Sequence, residues 1–306
     1  MNFNHRSVLL KESIDSLHIQ PDGVYMDGTA GGGGHSAAIL EKLGEHGKLI
    51  AVDQDPDALQ VLRERFGNNQ NVIIIKNNFS NIKNILKEAG VPAIHGLLLD
   101  IGVSSYQLDT AQRGFSYHFD APLDMRMSQA GKSARDVVNT YSEKELADII
   151  FHYGEEKFSR SIAKNIVAYR EQKLIETTGE LVDIIKASMP EAAKRGAHPA
   201  RKTFQAIRIE VNGELEVLEK ALNDALECVK PGGVISVITF HSLEDRLVKN
   251  KFKEWAQGCT CPKDFPVCVC GKTPRVKVMK AVSPSAEEVE ENNRSRSARL
   301  RSVIKL

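Results

Sequence analysis

The chain has 306 residues, 42% of them hydrophobic and 26% charged, with a net charge of +1. That is room for one large domain or one domain carrying an inserted second, with the composition of an ordinary soluble globular protein. No apolar run approaches a membrane span, Met1 to Ser13 lacks the regions of a signal peptide, and a near-neutral charge confines nucleic-acid binding to local clusters, so the expectation is a cytoplasmic protein that engages no membrane.

Val24-Tyr25-Met26-Asp27 reads as a strand ending in a carboxylate. It enters Gly28-Thr29-Ala30-Gly31-Gly32-Gly33-Gly34, with five glycines in seven residues, and then a helix-like segment from Ser36 to Leu43. Glycines let a backbone approach a ligand closely. Leu49 to Asp53 is a second strand ending in an acid, twenty residues after Gly33, where a carboxylate can bind a ribose diol. These segments predict an α/β, Rossmann-like nucleoside-binding half. A dinucleotide site would carry G-x-G-x-x-G with its pyrophosphate over the helix N-terminus. Here Asp27 precedes the glycines; it would repel a pyrophosphate but suit an ammonium group. S-adenosylmethionine has that group, a ribose and no phosphate, and D-G-T-x-G-x-G-G-H resembles the first motif of Rossmann-like methyltransferases.

Val72 to Lys76 is a third strand, followed by Phe79 at the position that lies over an adenine; the alternative for Phe79 is a core aromatic. Gly96 to Asp100 is a continuous apolar run, the pattern of a central strand covered on both faces. Ligands bind beyond the carboxyl ends of such strands, so Asp100 is placed where methyl donor and acceptor meet. From Gln112 to about Arg201 the α/β rhythm stops. Helices are expected over Glu143–His152, Glu156–Glu171 and Thr178–Ser188, with Ser142 and Glu145 forming a capping box and no convincing strand. The division expected is a core at 1–112, a helical insertion for substrate recognition at 113–202 near the active-site mouth, and a second core part at 203–306, opening with a helix from Thr203 to Val229.

Lys194 to Lys202, with Arg201, is a basic loop able to meet a phosphate backbone or simply solvated. Pro231-Gly232-Gly233 leads into a fifth strand ending at Phe240, and His241 follows at the ligand edge as a substrate contact or a helix-entry residue. Cys259-Thr260-Cys261 and Cys268-Val269-Cys270 are two C-x-C pairs six residues apart. Cys259, Cys261, Cys268 and Cys270 can hold a structural zinc through four thiolates; the alternatives are a reduced loop or an oxidation-prone tip. Arg294, Arg296, Arg299, Arg301 and Lys305 follow an acidic segment, either as phosphate ligands or as a last strand with alternating arginines.

Taken together, several segments resemble the bacterial 16S ribosomal RNA cytosine-N4 methyltransferases of the RsmH or MraW type. They are His5 to Glu12, Asp27 to His35, Leu99 to Asp109, Arg113 to Ser116, Pro122 to Met127, Thr203 to Ile209, Phe240 to Arg246 and Glu291 to Ser297, in order along nearly the whole chain. The four-cysteine segment is no part of that resemblance. The resemblance implies S-adenosylmethionine binding by Gly33, Gly34, His35, Asp53, Phe79, Asp100 and Gln107, the last on this ground alone. It also implies, as acceptor, the exocyclic amine of a cytidine in the decoding region of small-subunit rRNA. Asp100 is the candidate catalytic residue, and His241, Arg201, Arg294 and Arg296 are the candidate substrate contacts. A homodimer is left open. The competing readings are a nicotinamide oxidoreductase and a non-catalytic RNA-binding factor.

Overall fold

The computed structural model describes residues 7–262, 267 and 269–306. The chain divides into two compact units, residues 103–214 and the remainder.

In chain order, the larger unit begins with α1 (Leu10–Ser16), β1 (Val24–Asp27), α2 (Gly34–Leu40), β2 (Lys48–Asp53), α3 (Pro56–Phe66), β3 (Val72–Lys76), α4 (Ile82–Glu88) and β4 (Ile94–Asp100). The smaller unit supplies α5 (Ser105–Asp109), α6 (Ala134–Thr140), α7 (Glu143–Gly154), α8 (Ser159–Arg170), α9 (Thr178–Ala187) and α10 (Arg201–Asn212). The chain then returns through α11 (Glu214–Cys228), β5 (Val229–Thr239), α12 (Ser242–Ala256), β6 (Val276–Val278), α13 (Ala286–Glu291) and β7 (Arg299–Lys305).

The seven strands form one sheet in the order β3-β2-β1-β4-β5-β7-β6. The first five are parallel, and β7 runs antiparallel to both β5 and β6. This is the open, doubly wound order of a Rossmann-like sheet, reversing between β1 and β4. Leu49, Ile50, Ala51, Leu97, Leu98 and Leu99 are all fully buried, as expected for parallel strands covered on both faces. Ile82, Ile85, Leu222, Val248 and Phe252 of the flanking helices join strand residues in the main core. Register fixes the functional edge. Asp27 pairs with Ala51 and Leu98, Asp53 with Lys76, and Asp100 with Ile238, so three strands end in acids on one side of the sheet.

The smaller unit has its own apolar core, built from residues such as Val137, Leu146, Ile150, Ile162, Ile166, Ile185, Phe204 and Ile207. Its helices start at local caps. Ser142 Oγ accepts the Glu145 N–H at 3.2 Å while Glu145 Oε2 accepts the Ser142 N–H at 2.8 Å, the reciprocal box expected from the sequence. Ser133 with Asp136, and Thr177 with Glu180, repeat the device at α6 and α9.

Two elements differ from expectation. The single helix read from Thr203 to Val229 is two helices, because Gly213 takes a left-handed conformation (φ 58°) that ends α10. The buried Phe204 and Ile207 place α10 in the core of the smaller unit. The fifth strand begins earlier than its apolar run, since β5 already pairs at Val229 with Ile94 and resumes at Val234 with Gly96 after a register shift. Pro231-Gly232-Gly233 is the irregularity inside it.

Candidate active site

The site is built from the turn that follows β1. Gly28 N–H donates to the Leu98 carbonyl and Ala30 N–H to the Val52 carbonyl, both at 2.9 Å, so the turn is stitched across the ends of the strands on either side. Asp27 starts it. Its side chain is 1% exposed. Its carboxylate accepts the Ser36 hydroxyl at 2.7 Å and the Thr29 N–H at 3.2 Å. The expectation that Asp27 faces a ligand's ammonium group is therefore corrected. It points inward and ties the turn to the first turn of α2.

Gly33 closes the turn as the residue capping α2, at φ 79° and ψ 21°. That left-handed conformation is where a side chain is disfavoured. The wall behind it is tight, for a Cβ would stand 2.7 Å from Phe66 Cε2 and 3.2 Å from Leu62 Cδ2. A Cβ on Gly34 would overlap Ser7 Oγ at 1.9 Å, so the N-terminal segment runs directly against the start of α2. At the front of the turn, a Cβ on Gly28 would meet Leu99 Cδ2 at 2.5 Å and Phe79 Cβ at 3.2 Å. Phe79 therefore borders the turn from the end of β3, half-buried against the main core. The two readings offered for Phe79 are thus compatible in one position.

Asp53, at the end of β2, accepts the Gly31 N–H on Oδ2 and the Asp55 N–H on Oδ1, each at 2.8 Å. Its carboxylate remains half-buried at the sheet edge, beside the glycines. Asp100 is reached from two sides. Its own N–H donates to Thr29 Oγ1 at 2.6 Å, and its Oδ2 lies 3.7 Å from His35 Nδ1. The His35 ring is buried, with Nε2 3.1 Å from the Val8 carbonyl oxygen. His35 thus links the N-terminal segment to the Asp100 carboxylate.

Electrostatically the three acids form one system. Burial is the main cause that pushes the carboxyls of Asp27, Asp53 and Asp100 up to about 6 each, from 3.8. Hydrogen bonds and, for Asp100, the His35 ring pull the other way, while the Asp27 charge raises both Asp53 and Asp100. Three recessed anions around one glycine turn are a costly arrangement unless a cation or a set of donors completes it. Thr29 and Ser36 were missed by sequence reading. Their hydroxyls hold Asp100 and Asp27, and the signal was present only as polar residues flanking the glycines.

The remaining candidates lie elsewhere in the chain. Gln107 belongs to the smaller unit, where it is the third residue of α5 in a capping box with Ser104. Arg201 is exposed at the start of α10. His241 caps α12, and its Nε2 lies 2.9 Å from Glu244 Oε1, so the helix-entry reading describes its contacts. Arg294 and Arg296 are exposed on the turn before β7. Two other cations of that tail serve the fold. Arg301 pairs with both oxygens of Asp245 at 2.7 and 2.9 Å, and Lys305 Nζ donates to the Val229 carbonyl at 2.7 Å. Cys259, Cys261 and Cys270 lie together, whereas Cys268, like His5 and Arg6, lies outside the described residues.

Comparison with known proteins adds whole-chain kinship to this geometry. Ribosomal RNA small subunit methyltransferase H of Clostridium botulinum (strain Kyoto / Type A2) is 56% identical over 309 residues, covering 100% of both chains. The protein of that name from Lachnospira eligens is 53% identical, covering 98% of this chain and 97% of its own, and the one from Brevibacillus brevis is 52% identical, covering 100% and 99%. The MraW methylase family pattern matches residues 2–306, and with relatives this similar over their full length the chain belongs to the MraW methylase family.

Proposed function

We propose that this chain transfers a methyl group from S-adenosylmethionine to the exocyclic N4 amine of a cytidine in the decoding region of 16S rRNA, acting in the cytoplasm on the small ribosomal subunit. The substrate class rests on the relatives named as small-subunit rRNA methyltransferases. The observation that carries the site is the convergence of Asp53 and Asp100 on the glycine turn at the carboxyl edge of the sheet.

The residues present fit that donor. A cradle at Gly33 and Gly34 leaves no space for side chains on the protein side. Asp53 is an acceptor at the ribose position. Recessed carboxylates suit an ammonium group and a sulfonium, and no anion-binding cluster is needed. Gly33, Gly34, Asp53, Phe79, Asp100 and, through Asp100, His35 would hold the donor, which supplies an electrophilic methyl group when bound, and Gln107 is a donor contact only as the family resemblance implies.

The chain's own task is then alignment and acceptor activation. A cytosine N4 lone pair is conjugated with its ring and is a poor nucleophile. Asp100, with its carboxyl pushed up to about 6, is ionised at neutral pH yet more basic than an ordinary carboxylate. Accepting a hydrogen bond from N4–H on a carboxylate oxygen, it draws electron density onto nitrogen as the new bond forms and holds the released proton afterwards. His35, 3.7 Å away, faces that carboxylate. The target base must leave its stack to arrive there. Arg201, Arg294, Arg296 and His241 are the proposed RNA contacts, and the helical unit at 113–202 is the proposed recognition element.

The test is incubation with methyl-labelled S-adenosylmethionine and small subunits lacking the modification, followed by digestion to nucleosides. Label in N4-methylated cytidine is expected, and Asp100→Ala should abolish it. Label in another nucleoside, or none while the donor still binds, refutes the acceptor assignment. Light scattering on the same preparation tests a homodimer.

A further inference from the structure

Residues 257–275 join α12 to β6, and among those described there is no helix or strand. A connection of that length is long for a compact unit. Its feet are tied, since Arg275 N–H donates to the Trp255 carbonyl at 2.8 Å. What gathers its middle is sulfur. The Sγ atoms of Cys259, Cys261 and Cys270 all lie within 4.8 Å of one another. Cys259 and Cys270 are 3.6 Å apart, and none of the described cysteines is in a disulfide.

That spacing excludes a disulfide and is close to what a shared metal requires. A disulfide requires sulfurs at about 2.05 Å. Two thiolates on a tetrahedral zinc, each about 2.3 Å from the metal, stand about 3.8 Å apart. The backbone also contacts these sulfurs. Thr260 N–H points at Cys270 Sγ, Cys261 N–H at Cys259 Sγ and Val269 N–H at Cys261 Sγ, each at 3.4 Å. These N–H contacts fix where each sulfur stands.

We propose that Cys259, Cys261 and Cys270 bind one thiophilic divalent cation, zinc, as a structural site that closes this loop. Each thiol releases its proton to solvent as its sulfur joins the metal, and the fourth position is filled by a donor outside the trio. Soft thiolate ligands select zinc over magnesium or calcium. A metal crosslink also removes chain entropy that a long loop otherwise retains. The site is separate from the glycine turn, so its function is to order the loop that leads into the β6 edge strand, and it takes no part in methyl transfer.

The test uses the full chain, purified under reducing conditions, stripped with a chelator, and titrated with cobalt(II) and then zinc(II). One equivalent of cobalt is expected, with thiolate-to-cobalt charge-transfer absorption in the near ultraviolet that zinc abolishes. Cys259→Ser, Cys261→Ser and Cys270→Ser should each remove binding or lower that absorption by about a third, one thiolate of three. Cys228→Ala, on α11, should retain both. Circular dichroism checks that each variant is folded. Sub-stoichiometric uptake by the reduced chain, cobalt bound without a thiolate band, or an undiminished thiolate band in the three folded serine variants would overturn the proposal.

Discussion

Gly33→Ala separates the two demands placed on the glycine turn. At φ 79° the first demand is conformational, and placing a side chain in the left-handed region costs about 1–2 kcal/mol. The second is steric, because the new Cβ would lie 2.7 Å from Phe66 Cε2, 3.1 Å from Arg65 Nη1 and 3.2 Å from Leu62 Cδ2. Forcing a carbon into such a packed wall costs about 1–3 kcal/mol. The two together amount to roughly 2–5 kcal/mol. Gly232→Ala isolates the first demand, since Gly232 has φ 78° and nothing within 4 Å of its added Cβ. The difference between the two variants is therefore the steric part. At about 2–4 °C per kcal/mol for a unit of this size, Gly33→Ala should melt several degrees below Gly232→Ala. Titration with S-adenosylhomocysteine should show at least tenfold weaker binding for Gly33→Ala, about 1.4 kcal/mol, and none of that loss for Gly232→Ala. Equal melting temperatures would show that Phe66 and Leu62 yield to the methyl group, refuting the steric argument. Unchanged affinity in Gly33→Ala would remove the turn from the donor site.

Three further outcomes are expected. Asp27, Asp53 and Asp100 have folded-state values of about 6 against 3.8, so the folded chain holds more protons than the unfolded chain between those values. Their contribution to stability therefore falls as pH rises through that window, and a cationic ligand recovers the ionised state. Binding of S-adenosylmethionine should weaken below pH 6 and release protons near it; calorimetry in two buffers of different ionisation enthalpy measures this, and pH-independent affinity would contradict it. Replacing Arg294 and Arg296 by Ala should weaken RNA binding and lower its salt slope by about 0.7 for each phosphate of single-stranded RNA left without its arginine, whereas Arg301→Ala should lower the melting temperature by breaking its Asp245 pair. Ser142→Ala removes one half of a capping box and should destabilise the smaller unit by about 1 kcal/mol, read as a lowered unfolding midpoint, with donor affinity unchanged.

The strand ends were legible because they combine two independent signals. In β1 and β4, apolar burial on both faces gives a continuous run, and an acid then stops it, so Asp27 and Asp100 mark the edge of the sheet before any register is known. Serine–glutamate spacing likewise reported the start of α7, because a capping box is a local interaction. What escaped was set by contacts distant in sequence. Whether Asp27 faces a ligand or the turn depends on the Ser36 hydroxyl, and nothing in the motif says which of the two it chooses. Arg301 and Arg296 have the same chemistry and neighbouring positions, but only Arg301 lies on β7 opposite Asp245 of α12, so one cation is consumed by the fold and composition could not divide them. Gly213 could be weighed against the long helix that contains it only once the core of the smaller unit claimed Phe204 and Ile207. Asp100, too, is placed by distant partners. Its N–H donates to the Thr29 hydroxyl, seventy-one residues away, and its carboxylate faces a histidine held by the Val8 carbonyl, ninety-two residues from Asp100 along the chain. A substitution at Thr29 or His35 should therefore act on methyl transfer through the carboxylate's position, with Asp100→Ala masking any additional effect of either change.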